Sequence, residues 1–382
     1  MNLKRRDFLK IVPFGVMMPG QLVSGYSVSA RNASAAIPLQ SGARQTQETN
    51  QIDQLYDNAI VIDALVITSD WGEESYKALK QSGYTGFQTS LSSGNLETAL
   101  KALAEWNQRI QDNADKPVRA AFAADFERAK YDGKQAILFG FQNATMIENS
   151  IDNLEVLYKA GTRWIQLTYN QRNLLGDGCT ERTNAGLSDF GIAVVERMNE
   201  LGIIVDLSHC GRQTTMDGIH FSNPGPCFNH TTCEALYPNH PRAKTDEQIR
   251  AMADKGGVMG INGLGYMVGP DPGGKTTIET YVDHIDHVVK VGGIDHVGMA
   301  TDFAIQGMSH TATRENWYEP RLKRFKPSYQ VRWPAWIQEL DTPDRYKIVA
   351  RILDRRGYRS EHIEKILGLN WLRYYREVLG SR

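Results

Sequence analysis

The stretch GIIVDLSH, residues 202–209, decides how the chain is read. Ile203, Ile204 and Val205 make a short apolar, β-branched run of the length of a buried strand. Ahead of it, FGIAVVERMNELG (190–202) carries apolar residues at helical spacing and closes on a glycine, a common helix stop. The same unit recurs along the chain. Short apolar runs appear as AIVIDAL (59–65), TGFQTSL (85–91), AILFGFQ (136–142), WIQLTY (164–169), PCFNH (226–230), GVMGING (257–263) and HVGMATD (296–302). Helical stretches such as LETALKALAEWNQRIQDN, DEQIRAMADKGG and ETYVDHIDHVVKVGG lie between them. Fully apolar runs alternating with amphipathic helices imply parallel strands covered on both faces. Eight such runs predict a (β/α)8 TIM barrel. The alternative, a doubly wound open sheet, lacks the Gly-rich phosphate turn that would support it. The segment from Asp344 to Gly380 is expected to supply closing helices.

The chain has 382 residues, 43 Lys+Arg against 44 Asp+Glu, 41% hydrophobic residues and four cysteines. That length fits one large barrel-sized domain. The charge balance makes no electrostatic case for nucleic acid or an anionic membrane surface, and four cysteines are too few for a disulfide scaffold. At the N-terminus, MNLKRRDFLK precedes the short apolar run IVPFGVMMPG and then small residues. This pattern predicts a signal peptide over residues 1–35, its apolar core too short for a membrane span. Arg5-Arg6 ahead of Asp7-Phe8-Leu9-Lys10 gives it twin-arginine character, so the protein is expected to be periplasmic or otherwise exported. Residues 36–50 are expected to be a linker and 51–382 the barrel.

In a barrel the working residues sit where strands end. Those positions hold Gln142, Tyr169, His209, His230 and Asp302, whereas the first strand, VIDALVIT (61–68), runs out through Leu65 and Ile67. Two imidazoles and a carboxylate at three strand ends suit zinc or proton transfer. A packed, hydrogen-bonded core histidine is the plainer alternative for either one alone. The loop NLLGDGCTERTNAGLS (173–188) adds Asp177, Cys179 and Glu181, either as further ligands or a nucleophile, or as capping groups of a rigid glycine turn. His284 and His287, three apart on a helix, are read as structural.

Five segments, GIIVDLSHCGRQTT, PCFNHTT, NHPRAKTDEQIRAMADKGGVMGING, IDHVGMATDF and GLNWLR, together resemble the membrane (renal-type) dipeptidases, peptidase family M19, from about residue 55 to 378. The resemblance implies a metallo-dependent hydrolase barrel of amidohydrolase-like type, a zinc centre, a small peptide-like substrate and a homodimer. It places His209 and His230 on metal ligands, Asp302 on the acid that handles the attacking water, and Arg242 on the arginine that grips a substrate carboxylate. Tyr169 stands where the family has a histidine that polarises the carbonyl; with Arg242 and Asn173 it is expected to bind substrate. Two departures matter. Leu65 and Ile67 replace the family's first-strand His-x-Asp ligands, and Gln142 replaces its bridging glutamate. The expectation is therefore at most one zinc per chain, on His209 and His230 with Gln142 as a weak third donor. Three functions stay open: an altered dipeptidase-like hydrolase, an inactive binding or assembly protein, and a non-hydrolytic tailoring enzyme.

Overall fold

The computed structural model describes residues 51–270 and 275–380; the expected signal peptide and linker lie outside these residues. Nine strands occur in chain order: β1 (Ile62–Val66), β2 (Gly86–Ser90), β3 (Pro117–Arg119), β4 (Gln135–Phe141), β5 (Trp164–Gln166), β6 (Ile204–Asp206), β7 (Phe228–Thr231), β8 (Met259–Ile261) and β9 (Val297–Met299). Eight form a ring in the order β1-β2-β4-β5-β6-β7-β8-β9 with parallel pairing, and helices follow the strands around the outside. The seam between β6 and β7 is the thinnest joint: the bridge Asp206–Cys227 and two backbone hydrogen bonds, Cys227 N to Val205 O (2.9 Å) and Leu207 N to Cys227 O (3.0 Å), hold it. This is the expected TIM barrel. The additional β3 pairs only with the start of β4. It is short and opens on a proline, which cannot donate to a ladder, so no apolar run announces it.

Each of the eight expected runs forms a strand, and most are shorter than the run that marks them. β6 stops at Asp206 because that carboxylate, not a neighbouring strand, receives the Ser208 N–H (3.1 Å). His209 thus stands three residues beyond the strand, in the turn entering the helix Arg212–Phe221. Asp63 in β1 does related work. Its Oδ1 accepts from Leu65 N and Thr301 N (both 3.0 Å), and its Oδ2 from the Thr301 hydroxyl (2.8 Å) and the Tyr84 hydroxyl (3.3 Å), tying β1 to the end of β9. Asp206 Oδ1 accepts from Asn229 N (2.9 Å) and the Ser208 hydroxyl (2.6 Å), tying β6 to β7.

The helix Asn370–Leu379 plugs the end of the barrel where the strands begin. Trp371, Tyr374 and Tyr375 are fully buried there, and Tyr375 receives a hydrogen bond from Gln88 inside the ring (2.7 Å). Glycine at 298 is required by close approach: a Cβ would lie 2.2 Å from the Trp371 indole nitrogen. At the opposite end, residues 303–344 make an excursion that no periodicity foretold. A wide turn (Arg314–Tyr318) runs into the helix Glu319–Arg324, and parts of both wall the cavity above the strand ends. Among the described residues no helix is long and apolar enough to cross a membrane.

Candidate active site

A cavity of about 490 Å³ opens above the strand ends, with Gln142, Tyr169, His209, Arg242 and Asp302 in its lining. His209 and His230 meet at its floor with their Nε2 atoms 3.0 Å apart. Each imidazole is oriented from behind by an asparagine. Asn170 Oδ1 lies 2.7 Å from His209 Nδ1, and Asn229 Oδ1 contacts His230 Nδ1. An amide oxygen accepts only, so each asparagine favours a proton on the Nδ1 that it faces. The two Nε2 atoms face one another at hydrogen-bond distance, with the Gln142 side-chain nitrogen 3.3 Å from His230 Nε2. Burial, and then the nearby Arg242 charge, push both imidazoles well below their usual pKa, so both are neutral at pH 7.

Asp302 extends beyond β9 with its Oδ2 4.0 Å from His230 Nε2 and 3.0 Å from the Asn262 amide that donates to it. Burial lifts its pKa to about 6 against the pull of Arg242. Its backbone is left-handed (φ 64°), as is that of Asn170 (φ 59°). Asp and Asn tolerate that region better than other non-glycine residues, and such conformations concentrate at functional sites. The Tyr169 ring stacks on His209, centroids 4.2 Å apart.

Arg242 is 1% exposed and already engaged. Its Nε donates to Ser208 O (3.0 Å), Nη2 to His230 O (2.6 Å) and Nη1 to the Tyr329 hydroxyl (2.9 Å). Three of its five N–H groups serve the protein, leaving two for a ligand in the cavity it lines. Leu65 is buried in the core and Ile67 lines the cavity wall, so the first strand offers hydrocarbon where the family resemblance implies ligands.

The structure keeps Asp177 and Glu181 away from the histidine pair, whereas Cys179 donates its N–H to His209 O (2.8 Å) without its thiol reaching either imidazole. Asp177 is buried against Arg172 (2.5 Å), the Thr183 hydroxyl and Ala185 N, and Glu181 accepts from the backbone of Arg172 and Arg182. Asn173 holds the loop's base through Leu167 O, Asn143, Leu175 N and Gly176 N, and is absent from the cavity lining. The Cys179 thiol lies 3.4 Å from Asn170 Oδ1 in a separate cavity, and burial pushes it up to about 11, away from thiolate chemistry. All four cysteines are free. His284 accepts from Cys233 N and contacts Val268 O, a structural placement.

This donor set does not fit the zinc centre that the resemblance implies. Catalytic zinc takes three protein ligands; the pair His209–His230 has a neutral amide beside it, and no first-strand ligand. Among the described residues no group of three or more His, Cys, Asp or Glu side chains is placed to hold a metal ion. The residues that sequence reasoning missed are the orienting ones: Asn170, Asn229 and Asn262, with Tyr329 behind Arg242. Asn229 directly precedes His230, and Asn262 is the last residue but one of the run GVMGING, so both stood where a strand-end reading looks.

The family model for membrane dipeptidase (peptidase family M19) matches residues 71–320. The dipeptidase tcpJ of Claviceps purpurea is 31% identical over 274 residues, 71% of this chain and 58% of that protein. An uncharacterized dipeptidase of Schizosaccharomyces pombe is 28% identical over 74% of this chain and 61% of its own length. The chain thus spans about three fifths of these relatives. A solved amidohydrolase from Pseudomonas aeruginosa is 30% identical, with a TM-score of 0.75 over 86% of this chain and 99% of that one. A metallo peptidase from Rhodobacter sphaeroides, liganded with a phosphinate mimic of L-Ala-D-Ala, shares the fold at 18% identity (TM-score 0.69, 84% of this chain and 99% of that one). Barrel and sequence match agree: the chain belongs to the membrane dipeptidase family, peptidase family M19.

Proposed function

We propose that this chain hydrolyses a dipeptide-like amide bond in a small substrate bearing a free carboxylate. One observation carries the proposal: a mostly buried carboxylate, Asp302, stands 4.0 Å from His230 Nε2 on the floor of a cavity that also presents Arg242. The two unused N–H groups of Arg242 receive the substrate carboxylate. Asp302, ionised above about pH 6, takes the proton of the attacking water and returns it to the departing amine. Tyr169 stacks on His209 and directs its hydroxyl to the developing oxyanion. The expected zinc, at most one per chain on His209 and His230, lacks a third protein ligand among the described residues. The twin-arginine-like start (Arg5-Arg6) supports an exported location for the reaction.

The apolar Leu65 and Ile67 favour a second reading, a binding protein that keeps the pocket without the chemistry. A panel of L,L- and L,D-dipeptides, assayed with and without chelator alongside metal analysis of the purified protein, separates the two. Turnover of at least one dipeptide, lost in Asp302→Asn, supports hydrolysis. Dipeptide binding by calorimetry with no turnover by the wild type supports the binding protein.

A further inference from the structure

A dipeptide brings one carboxylate to this cavity, and Arg242 on the floor suffices for it. A second guanidinium lines the same cavity, that of Arg321 in the helix Glu319–Arg324 of the 303–344 excursion. Arg321 is partly buried, and its guanidinium carbon lies 3.9 Å from the centre of the Trp317 ring, which fixes the plane of the fork. Its Nη1 donates to Trp317 O (3.0 Å). Among the described residues it has no other hydrogen bond and no carboxylate within ion-pair distance. Most arginines that pack on this protein's surface are paired: Arg351 with Asp53, Arg356 with Glu279, Asp283 and Asp286, Arg376 with Glu127. A partly desolvated cation pinned by an aromatic face, with most donors free, is costly unless something anionic meets it. The acids in the cavity lining are Asp302, which Asn262 holds and which feels the Arg321 charge from beyond ion-pair distance, and the exposed Asp70; neither bonds to Arg321.

We propose that Arg321 determines specificity by receiving a second anionic group on the substrate, so that the preferred substrates are acidic: a dipeptide with an acidic side chain, or one carrying an equivalent second carboxylate. The planar fork set by Trp317 matches a carboxylate bidentately. The cavity, about 490 Å³, lies inside the ~300–1,000 Å³ range of small-molecule sites, so size does not exclude an acidic side chain. Arg242 anchors the carboxylate next to the scissile bond, and Arg321, on a different element, reads what else the substrate carries.

The inference rests on the proposed hydrolysis, and its test has two arms that fail separately. The first compares kcat/KM for Ala-Glu with Ala-Gln and for Glu-Ala with Gln-Ala, pairs that differ in charge and hardly in shape. The wild type is expected to favour the glutamate member of at least one pair by about tenfold or more. Arg321→Ala and Arg321→Gln are expected to bring that ratio within about twofold, while turnover of the glutamine member changes less than about threefold; Arg321→Lys restores part of the preference. A wild-type ratio near one, or a ratio unchanged in both variants, overturns the proposal. The second arm titrates glutarate and butyrate by calorimetry. If no dipeptide is cleaved, the hydrolase proposal falls; tighter binding of glutarate than butyrate, lost in Arg321→Ala, would still uphold the role of Arg321. Equal affinities in the wild type overturn it. Circular dichroism of all three variants checks that the barrel is intact.

Discussion

β1 and β6 begin alike and end differently. Each carries a buried aspartate, Asp63 or Asp206, that closes the ring by accepting hydrogen bonds from the next strand in space. Beyond the aspartate, the chain leaves β6 through Leu207 and Ser208 to His209, whereas after Asp63 it runs through Leu65 and Val66 to Ile67, just past the end of β1. The lower layer, where the carboxylates sit, is the same kind of joint in both places. The upper layer is chemical at β6 and hydrocarbon at β1. Closing the barrel and equipping its mouth are therefore separable tasks, performed by residues only two to four positions apart.

The strongest way to break this comparison is at the mouth. Asp302→Asn is expected to lower kcat/KM by about 10²–10⁴-fold, as befits loss of a proton-transfer group, with the melting temperature nearly unchanged. Ile67→Val, on the hydrocarbon side, should cost less than about threefold in the same assay. Comparable losses in both would mean that the first strand still takes part in the chemistry.

The joints come next. Asp63→Ala strips the partner from Thr301 N, Leu65 N and the Tyr84 hydroxyl, all buried, and leaves the Thr301 hydroxyl its bond to Leu65 O. An expected loss of about 2–4 kcal/mol in urea unfolding follows, since each orphaned buried donor costs about 1–3 kcal/mol and relaxation recovers part. Asp206→Ala should cost less, because its Oδ2 is buried without a partner and its removal relieves that defect. A reversed order would show that the β6–β7 seam leans on its aspartate more than β1 does.

A smaller effect is expected in the pH dependence of stability. Burial raises both Asp63 and Asp206 to about 6, above the value near 3.9 of an unfolded chain. Between about pH 4 and pH 6 the folded state holds protons that the unfolded chain has released. Stability therefore falls as pH rises through that window and levels off above it, by up to about 3 kcal/mol per group. Asp63→Asn, neutral throughout, should remove one group's share of the slope; unfolding curves at pH 4, 5, 6 and 7 would show it.

The smallest effect is expected at Cys179. Its thiol is held up at about 11 and faces a different cavity, so Cys179→Ser should leave kcat/KM within about twofold. A hundredfold loss would bring the 173–188 loop back into the catalytic site.

The ring was readable in the sequence because parallel strands covered on both faces must be apolar throughout, and all eight runs became strands. β3 was not, since three residues led by Pro117 leave no periodicity to detect. At the mouth, the strand-end rule located His209, His230, Gln142 and Asp302, and the cavity gathers them or their neighbours. It could not foresee that Asn170 would reach His209, since that contact depends on a left-handed residue in a turn. Nor could it foresee Arg321: the excursion that carries it packs through scattered aromatics such as Trp317, Phe325 and Tyr329, with no period to mark them.

The Arg242 guanidinium spans the thinnest joint of the ring, one N–H on Ser208 O beyond β6 and another on His230 O in β7. It works as a clasp across the two segments whose imidazoles lie 3.0 Å apart. Removing this one side chain would therefore take away both a cation of the pocket and the hydrogen bonds that fasten the segment after β6 to β7.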